Sequence, residues 1–385
     1  MSTPNRPRPQ STSRVPGRRP ATPSRAPIGT SQQRAQGRGY GKGTPHSPNA
    51  LQQVRPDADA AASTATAAST ATAASAAADT DALEAAQSDV DGLVGVYNIL
   101  STPFTDSGEL DMESLRTLTA ATVEMGVDGI TVLGVAGEAQ KLLDDERRAV
   151  MTTVIEVVAG RIPVIVGVSR DGTTATIAAC LEAQEAGAMG VMVAPPTFVQ
   201  PGPGLTQHFV AIGDAIAIPI ILQDFPIANA VTMSPQQMAD LVHAVPRIST
   251  IKLEDAPTPL RISQTLALLP EHVSIVGGLG GMYLLDELRR GSSGTMTGFA
   301  YPEALIDIVR AWDDDDAERA EQIFYSFLPL LMFEGQPKLG VAIRKEILRR
   351  RGLIASNHVR RPGPVLDPGI ADDLSATLRY MGLEE

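Results

Sequence analysis

Residues 126–132 read GVDGITV, 187–193 read GAMGVMV and 291–298 read GSSGTMTG. In each, a glycine stands where a helix would close, and a short stretch suited to a strand buried on both faces follows at once. Working outward from these, strand-like runs recur at 95–100, 129–133, 163–168, 190–194, 219–223, 248–253, 273–276 and 294–297. Helical patterns separate them. In 111–125, Leu115, Leu118, Thr122 and Met125 share a stripe, and in 144–158 acidic residues fill the first turn. Alternating strand and helix is the mark of parallel βα units. Eight such units within about 220 residues fit one closed (β/α)8 barrel, the TIM-barrel form of the α/β class, better than an open doubly wound sheet.

The barrel is expected over 92–312. A helical region follows at 313–385, with helical patterns at 315–333, 337–353 and 372–381 and a Pro-rich connector at 361–368. The pattern leaves open whether this appendage packs under the barrel or serves an oligomer contact. Before the barrel, 1–87 is rich in Arg, Pro, Ser and Ala, without large apolar residues in its Ala-Ser-Thr run, and reads as a disordered tail. The net charge is −12, yet nine Arg and one Lys precede the first acidic residue, Asp57, which leaves −22 for the remainder. So acidic a folded part disfavours nucleic acid as its partner, although the basic tail alone could be a binding arm or a transit segment. No 20-residue apolar window suggests a membrane span and no apolar core follows the basic start, so neither a membrane partner nor a secretory signal is expected. The single cysteine, Cys180, rules out an intrachain disulfide and a cysteine-built zinc site, and suits a reducing cytoplasm.

Active sites of such barrels lie at the C-terminal strand ends. The sixth strand, in the octapeptide ISTIKLED at 248–255, carries the unusual residue. Alternation puts Ile248, Thr250, Lys252 and Glu254 on one face and Ser249, Ile251 and Leu253 on the other. With Ile251 and Leu253 against helices, Lys252 points into the barrel, where burial favours the uncharged amine that attacks a carbonyl. Glu254, two residues on and about 6.6 to 6.8 Å along the strand, can move protons at a lysine-bound substrate. The same two residues could equally form a structural ion pair at the barrel mouth. The second strand ends in LGVAGEAQ, 133–140, whose two glycines allow a sharp turn presenting backbone amides that could hold a carboxylate, although such a string is usually just a turn. The fifth ends in LQDFP, where Gln223 faces the lumen with Ile221 and Asp224 is expected to cap the next element.

Together these residues resemble the dihydrodipicolinate synthase and N-acetylneuraminate lyase superfamily, class I aldolase-like barrels with a Schiff-base lysine on strand six. The likeness runs through GVYNILSTPFTDSGELD from Gly95, GVAGE, GRIPVIVGVS, GAMGVMVAPP and IKLED to the C-terminal helices. The departures bear on the reaction. QDFP stands where the synthase and sialic acid lyase carry a tyrosine in YN-x-P, Val135 and Ala136 where they carry hydroxyls, and Phe198 where they carry the tyrosine of PPYY. The arginine that clamps a second carboxylate in the synthase falls near Ala228 or Asn229. Gln223-Asp224 before Pro226, Glu254, and the phrases GLIAS and RRPGPVLDP are similar to the 2-keto-3-deoxy-L-arabinonate dehydratase branch, which removes water from sugar-derived keto acids. GVAGEAQ differs from that branch.

The resemblance implies a lyase that forms an imine between Lys252 and a 2-keto acid, with Glu254 taking the C3 proton and the C4 hydroxyl leaving as water. It implies the substrate carboxylate on the Val135 and Ala136 amides, Gln223, Thr297 and the Gly277-Gly278 backbone along the sugar side, and no metal or organic cofactor. It also implies a dimer or tetramer of identical chains. The same imine supports C3–C4 cleavage, the aldolase alternative, and the lost hydroxyls leave room for a silent barrel that only binds a keto acid.

Overall fold

The computed structural model describes residues 91–197 and 199–384; the tail expected over 1–87 lies outside the described residues. Eight parallel strands form the barrel: β1 Gly95–Ile99, β2 Gly129–Val132, β3 Val164–Gly167, β4 Gly190–Val193, β5 Ile220–Asp224, β6 Ile248–Leu253, β7 Ser274–Val276 and β8 Gly294–Thr297. Their order is β7-β6-β5-β4-β3-β2-β1-β8. The remaining seam closes just past the end of β7, where Gly277 donates its N–H to the Gly294 carbonyl at 3.0 Å and accepts from Met296 at 2.9 Å. Each strand end lies within a residue or two of its expected place, because a buried parallel strand needs an unbroken apolar run and the residues that break the run also stop the strand.

Two apolar cores follow from strand alternation. Outward-facing residues such as Val132, Val193, Leu222, Ile251 and Leu253 pack with the surrounding helices. Tyr97, Ile99, Ile165, Met192, Ile221, Val276 and Met296 form a separate cluster that fills the lumen. Burying a side chain of this size contributes about 1.5–3 kcal/mol, so the lumen is a packed floor beneath the strand ends. Helix starts obey local chemistry: Asp111 accepts from the Ser114 N–H at 3.0 Å ahead of the helix Met112–Glu124. None of the helices among the described residues is long and apolar enough to cross a membrane.

The C-terminal region forms helices Ala317–Glu334, Gly340–Arg350 and Pro368–Tyr380. The sequence left its placement open; in the structure Glu334, Gln336, Lys338, Arg344, Val359 and Pro362 are among the residues that border the cavity above the strand ends. The helix Gly340–Arg350 has seven consecutive buried residues, Ala342 to Leu348, so it is enclosed on all sides.

Candidate active site

On β6, Ile251 and Leu253 belong to the core between strands and helices, which turns Lys252 into the lumen. Lys252 is 2 % exposed and Glu254 is 5 % exposed. A buried ammonium needs an anion, and the Lys252 Nζ lies 2.9 Å from Oε2 of Glu254. The strand spacing separates the two backbones, and the side chains bend back to meet. The ion pair expected as one alternative is therefore present. It also places a proton acceptor within hydrogen-bond reach of the amine, which is what a nucleophilic lysine requires.

The same Oε2 accepts from Gln223 Nε2 at 2.8 Å, and Gln223 is the cross-strand neighbour of Lys252 in the β5–β6 ladder. Oε1 faces the Leu279 N–H at 3.4 Å and lies against Gly278. A Cβ at position 278 would stand 2.6 Å from Glu254 Cδ, so Gly278 makes room for the carboxylate. Lys252, Glu254, Gln223, Val135, Ala136 and Thr297 all border one cavity of about 480 Å³ at the C-terminal strand ends. Val135 and Ala136 open the short turn Val135–Gly137; the first N–H groups of such a turn are not used within it.

Thr297 borders the cavity, but its oxygen is already engaged, accepting from the Gly280 N–H at 2.8 Å. The capping role expected of Asp224 is overturned: Phe225 stands at the cap of the helix Pro226–Asn229 and offers no side-chain bond. Asp224 shares the outward face of β5 with Leu222 and is fully buried under the helices, with Arg261 Nη2 3.4 Å away. Burial pushes its carboxyl up to about 7. Of the two candidates for the clamping-arginine position, Asn229 spends its side chain on backbone, donating to Pro195 O at 3.2 Å and accepting from Val231 N at 3.0 Å. Phe198 lies outside the described residues. A neighbouring cavity of about 450 Å³ shares Val135, Gln140, Gln223 and Phe225 with the first and extends toward Arg147 and Arg170.

Two buried ion pairs at the mouth escaped the sequence reading. Glu138, read only as part of a turn, adopts a left-handed backbone (φ 58°) and is 1 % exposed. Its carboxylate takes Lys345 Nζ at 2.5 Å, Lys141 Nζ at 2.9 Å and the Arg360 N–H at 3.0 Å. Lys345 also lies over the Phe104 ring, 4.3 Å from its centre. Burial nonetheless lowers the Lys345 ammonium to about 8, against the pull of Glu138. Glu334 takes Arg344 Nε at 2.5 Å and the Ala300 N–H at 3.0 Å. The Glu138–Lys345 pair ties the C-terminal region to the barrel mouth, whereas Glu334–Arg344 joins two C-terminal helices and meets the barrel through the Ala300 N–H. The only sequence signal was a charged triplet, RKE at 344–346, inside an apolar helical pattern.

Fold and site together define a barrel with a buried lysine, paired to a carboxylate, at the floor of a cavity at the C-terminal ends of the strands. Residues 92–380 match the model of the dihydrodipicolinate synthetase family, and the chain belongs to that family. It is 32% identical over 294 residues to an L-2-keto-3-deoxyarabonate dehydratase of Azospirillum brasilense, covering 74% of this chain and 94% of the relative. It is also 32% identical over 240 residues to a 4-hydroxy-tetrahydrodipicolinate synthase of Salinibacter ruber, covering 62% and 79%. Among solved structures, the dihydrodipicolinate synthase of Rhodopseudomonas palustris is similar with a TM-score of 0.71 and 35% identity over 74% of this chain and 97% of that one. A prophage protein of the same family from E. coli, solved with pyruvate, is similar with a TM-score of 0.71 and 26% identity, covering 76% and 99%. The chain is accordingly an enzyme of the lyase and aldolase type that this family comprises.

Proposed function

We propose that the protein dehydrates a 2-keto-3-deoxy sugar acid through an imine on Lys252. The observation that carries this reading is the 2.9 Å contact between Lys252 Nζ and Glu254 Oε2 at the cavity floor. Glu254 accepts a proton from the Lys252 ammonium, and the free amine adds to the C2 ketone of the substrate. Glu254 returns that proton to the carbinolamine hydroxyl, which leaves as water to give the iminium ion, and the iminium draws electrons from C3. Glu254 then takes a C3 proton and the C4 hydroxyl leaves with that proton as a second water. Water hydrolyses the imine and returns the lysine. The substrate carboxylate rests on the Val135 and Ala136 amides, with Gln223 holding Glu254 in place. Likeness to the Azospirillum dehydratase over nearly its whole length supports dehydration, as does the absence of an arginine at 228 or 229.

Intact-mass spectrometry after incubation with pyruvate and borohydride tests the imine. Wild type should gain the mass of a reduced pyruvate adduct and Lys252→Ala should not; an unmodified wild type would remove the mechanism and favour a barrel that only binds the keto acid. Product analysis with L-2-keto-3-deoxyarabonate then separates the two lyase outcomes. Loss of water supports the dehydratase, whereas release of pyruvate would make the protein an aldolase.

A further inference from the structure

Strand alternation assigns the position two residues beyond the last lumen-filling side chain to the substrate layer. On β7 that residue is Gly278, after Val276, and on β8 it is Gly298, after Met296. Both places are taken by side chains from elsewhere. Glu254 fills the first. The second is filled by Arg344: a Cβ at position 298 would stand 2.8 Å from its Cζ. The guanidinium thus enters the barrel mouth from the helix Gly340–Arg350, through space that a glycine on the last strand leaves open, and Arg344 is among the residues that border the same cavity as Lys252.

Arg344 is 8 % exposed, and its bonding is lopsided. Nε is held by Glu334, whose other oxygen is held by the Ala300 N–H. Nη1 is buried and has no partner. A buried guanidinium N–H without an acceptor is costly, and a cavity that receives a polar ligand can supply the acceptor. The charge is already balanced by Glu334 at 2.5 Å, so a second full anion would be one negative charge too many. A neutral oxygen is the better match.

We infer that Arg344 is a specificity residue of this site, donating from Nη1 to a hydroxyl oxygen on the distal carbons of the keto acid whose carbonyl meets Lys252. This deepens the imine reading and rests on it. Arg344 distinguishes hydroxylated 2-keto acids from pyruvate, which ends before reaching it, and from unsubstituted chains of equal length.

The test compares dissociation constants, by titration calorimetry, for L-2-keto-3-deoxyarabonate, 2-ketopentanoate and pyruvate. It uses a Lys252→Ala background, in which the sugar acid binds without being turned over, alone, with Arg344→Lys, and with Arg344→Met plus Glu334→Gln, so that no unpaired buried carboxylate is left at 334. Borohydride trapping of wild type with pyruvate runs in parallel. The ratio of the sugar-acid constant to the pyruvate constant should rise about 10- to 100-fold in both variants, as expected for losing a hydrogen bond from a charged donor. The 2-ketopentanoate ratio should stay within about threefold. Equal weakening of all three ligands would show a merely structural arginine and overturn the assignment, and so would an unchanged ratio. If 2-ketopentanoate weakens as much as the sugar acid, Arg344 senses length and the hydroxyl assignment is overturned. A wild type that traps no pyruvate overturns the imine reading alone, since the ratio needs no covalent bond.

Discussion

Gly278 lies flat against the carboxylate of Glu254, leaving no room for a Cβ between them. The neighbour that would have to move is the end of a flexible side chain, so Gly278→Ala should fold and displace Glu254 from Lys252. We expect kcat to fall about 10²- to 10⁴-fold, the usual worth of a positioned general base, with the circular dichroism spectrum unchanged. Steady-state kinetics with near wild-type kcat would show that Glu254 does not act from this position.

Glu254→Gln tests the same carboxylate without adding bulk. It keeps the shape that Gln223 and Leu279 hold and removes the proton acceptor. Exchange of the pyruvate methyl protons with deuterated solvent, followed by NMR, should slow by about 10²-fold or more. Undiminished exchange would assign the C3 proton to another group.

Much of this was legible because the barrel writes its pattern locally. A strand such as β4 or β5 is a run of apolar residues bounded by Gly or Pro, and Lys252 stands out as the one cation in such a run. Glu254 followed from counting by two. What could not be read is what depends on pairs distant in the chain. Arg344 and Lys345 look like the solvated side of a helix until Glu334 folds over one and Glu138, from the loop after β2, meets the other. Asp224 looks like a cap because Phe225-Pro226 follows it; only the helix carrying Arg261 shows that its face of β5 is closed to solvent.

The Glu138–Lys345 pair makes a prediction about docking. Removing one member of a buried pair strands the other charge and costs about 3–5 kcal/mol. Glu138→Gln should lose about that much stability near neutral pH, with faster hydrogen exchange in the helix Gly340–Arg350. Lys345, already lowered to about 8 by burial, sheds its proton more easily in the folded state than in the unfolded chain. Above about pH 8 a neutral amine no longer needs the anion, so the deficit should be smaller at about pH 9 than at about pH 6. Urea denaturation at both values checks this, and a deficit that widens with pH would contradict it.

Glu287 carries the clearest pH signature. It is fully buried, its Oε1 accepts from Thr258 Oγ1 at 2.5 Å, and its Oε2 sits against Gly277 with no partner. Burial pushes its carboxyl up to about 7 from an ordinary 4.5; the Thr258 bond opposes this and the negative charge of Glu254 adds to it. Between those values the folded protein holds a proton that the unfolded chain has released, so stability falls as pH rises through the window and stays lowered above it. Glutamine matches the neutral acid in shape and does not titrate. Glu287→Gln should therefore equal wild type at about pH 5 and exceed it by about 2–3 kcal/mol at about pH 8. Asp224 is raised in the same range but is present in both proteins, so its contribution cancels in the difference. Thermal or urea denaturation at the two pH values decides the point. A gap that does not change with pH would mean that Glu287 is ionised in the folded state, held by a compensation other than its bond to Thr258.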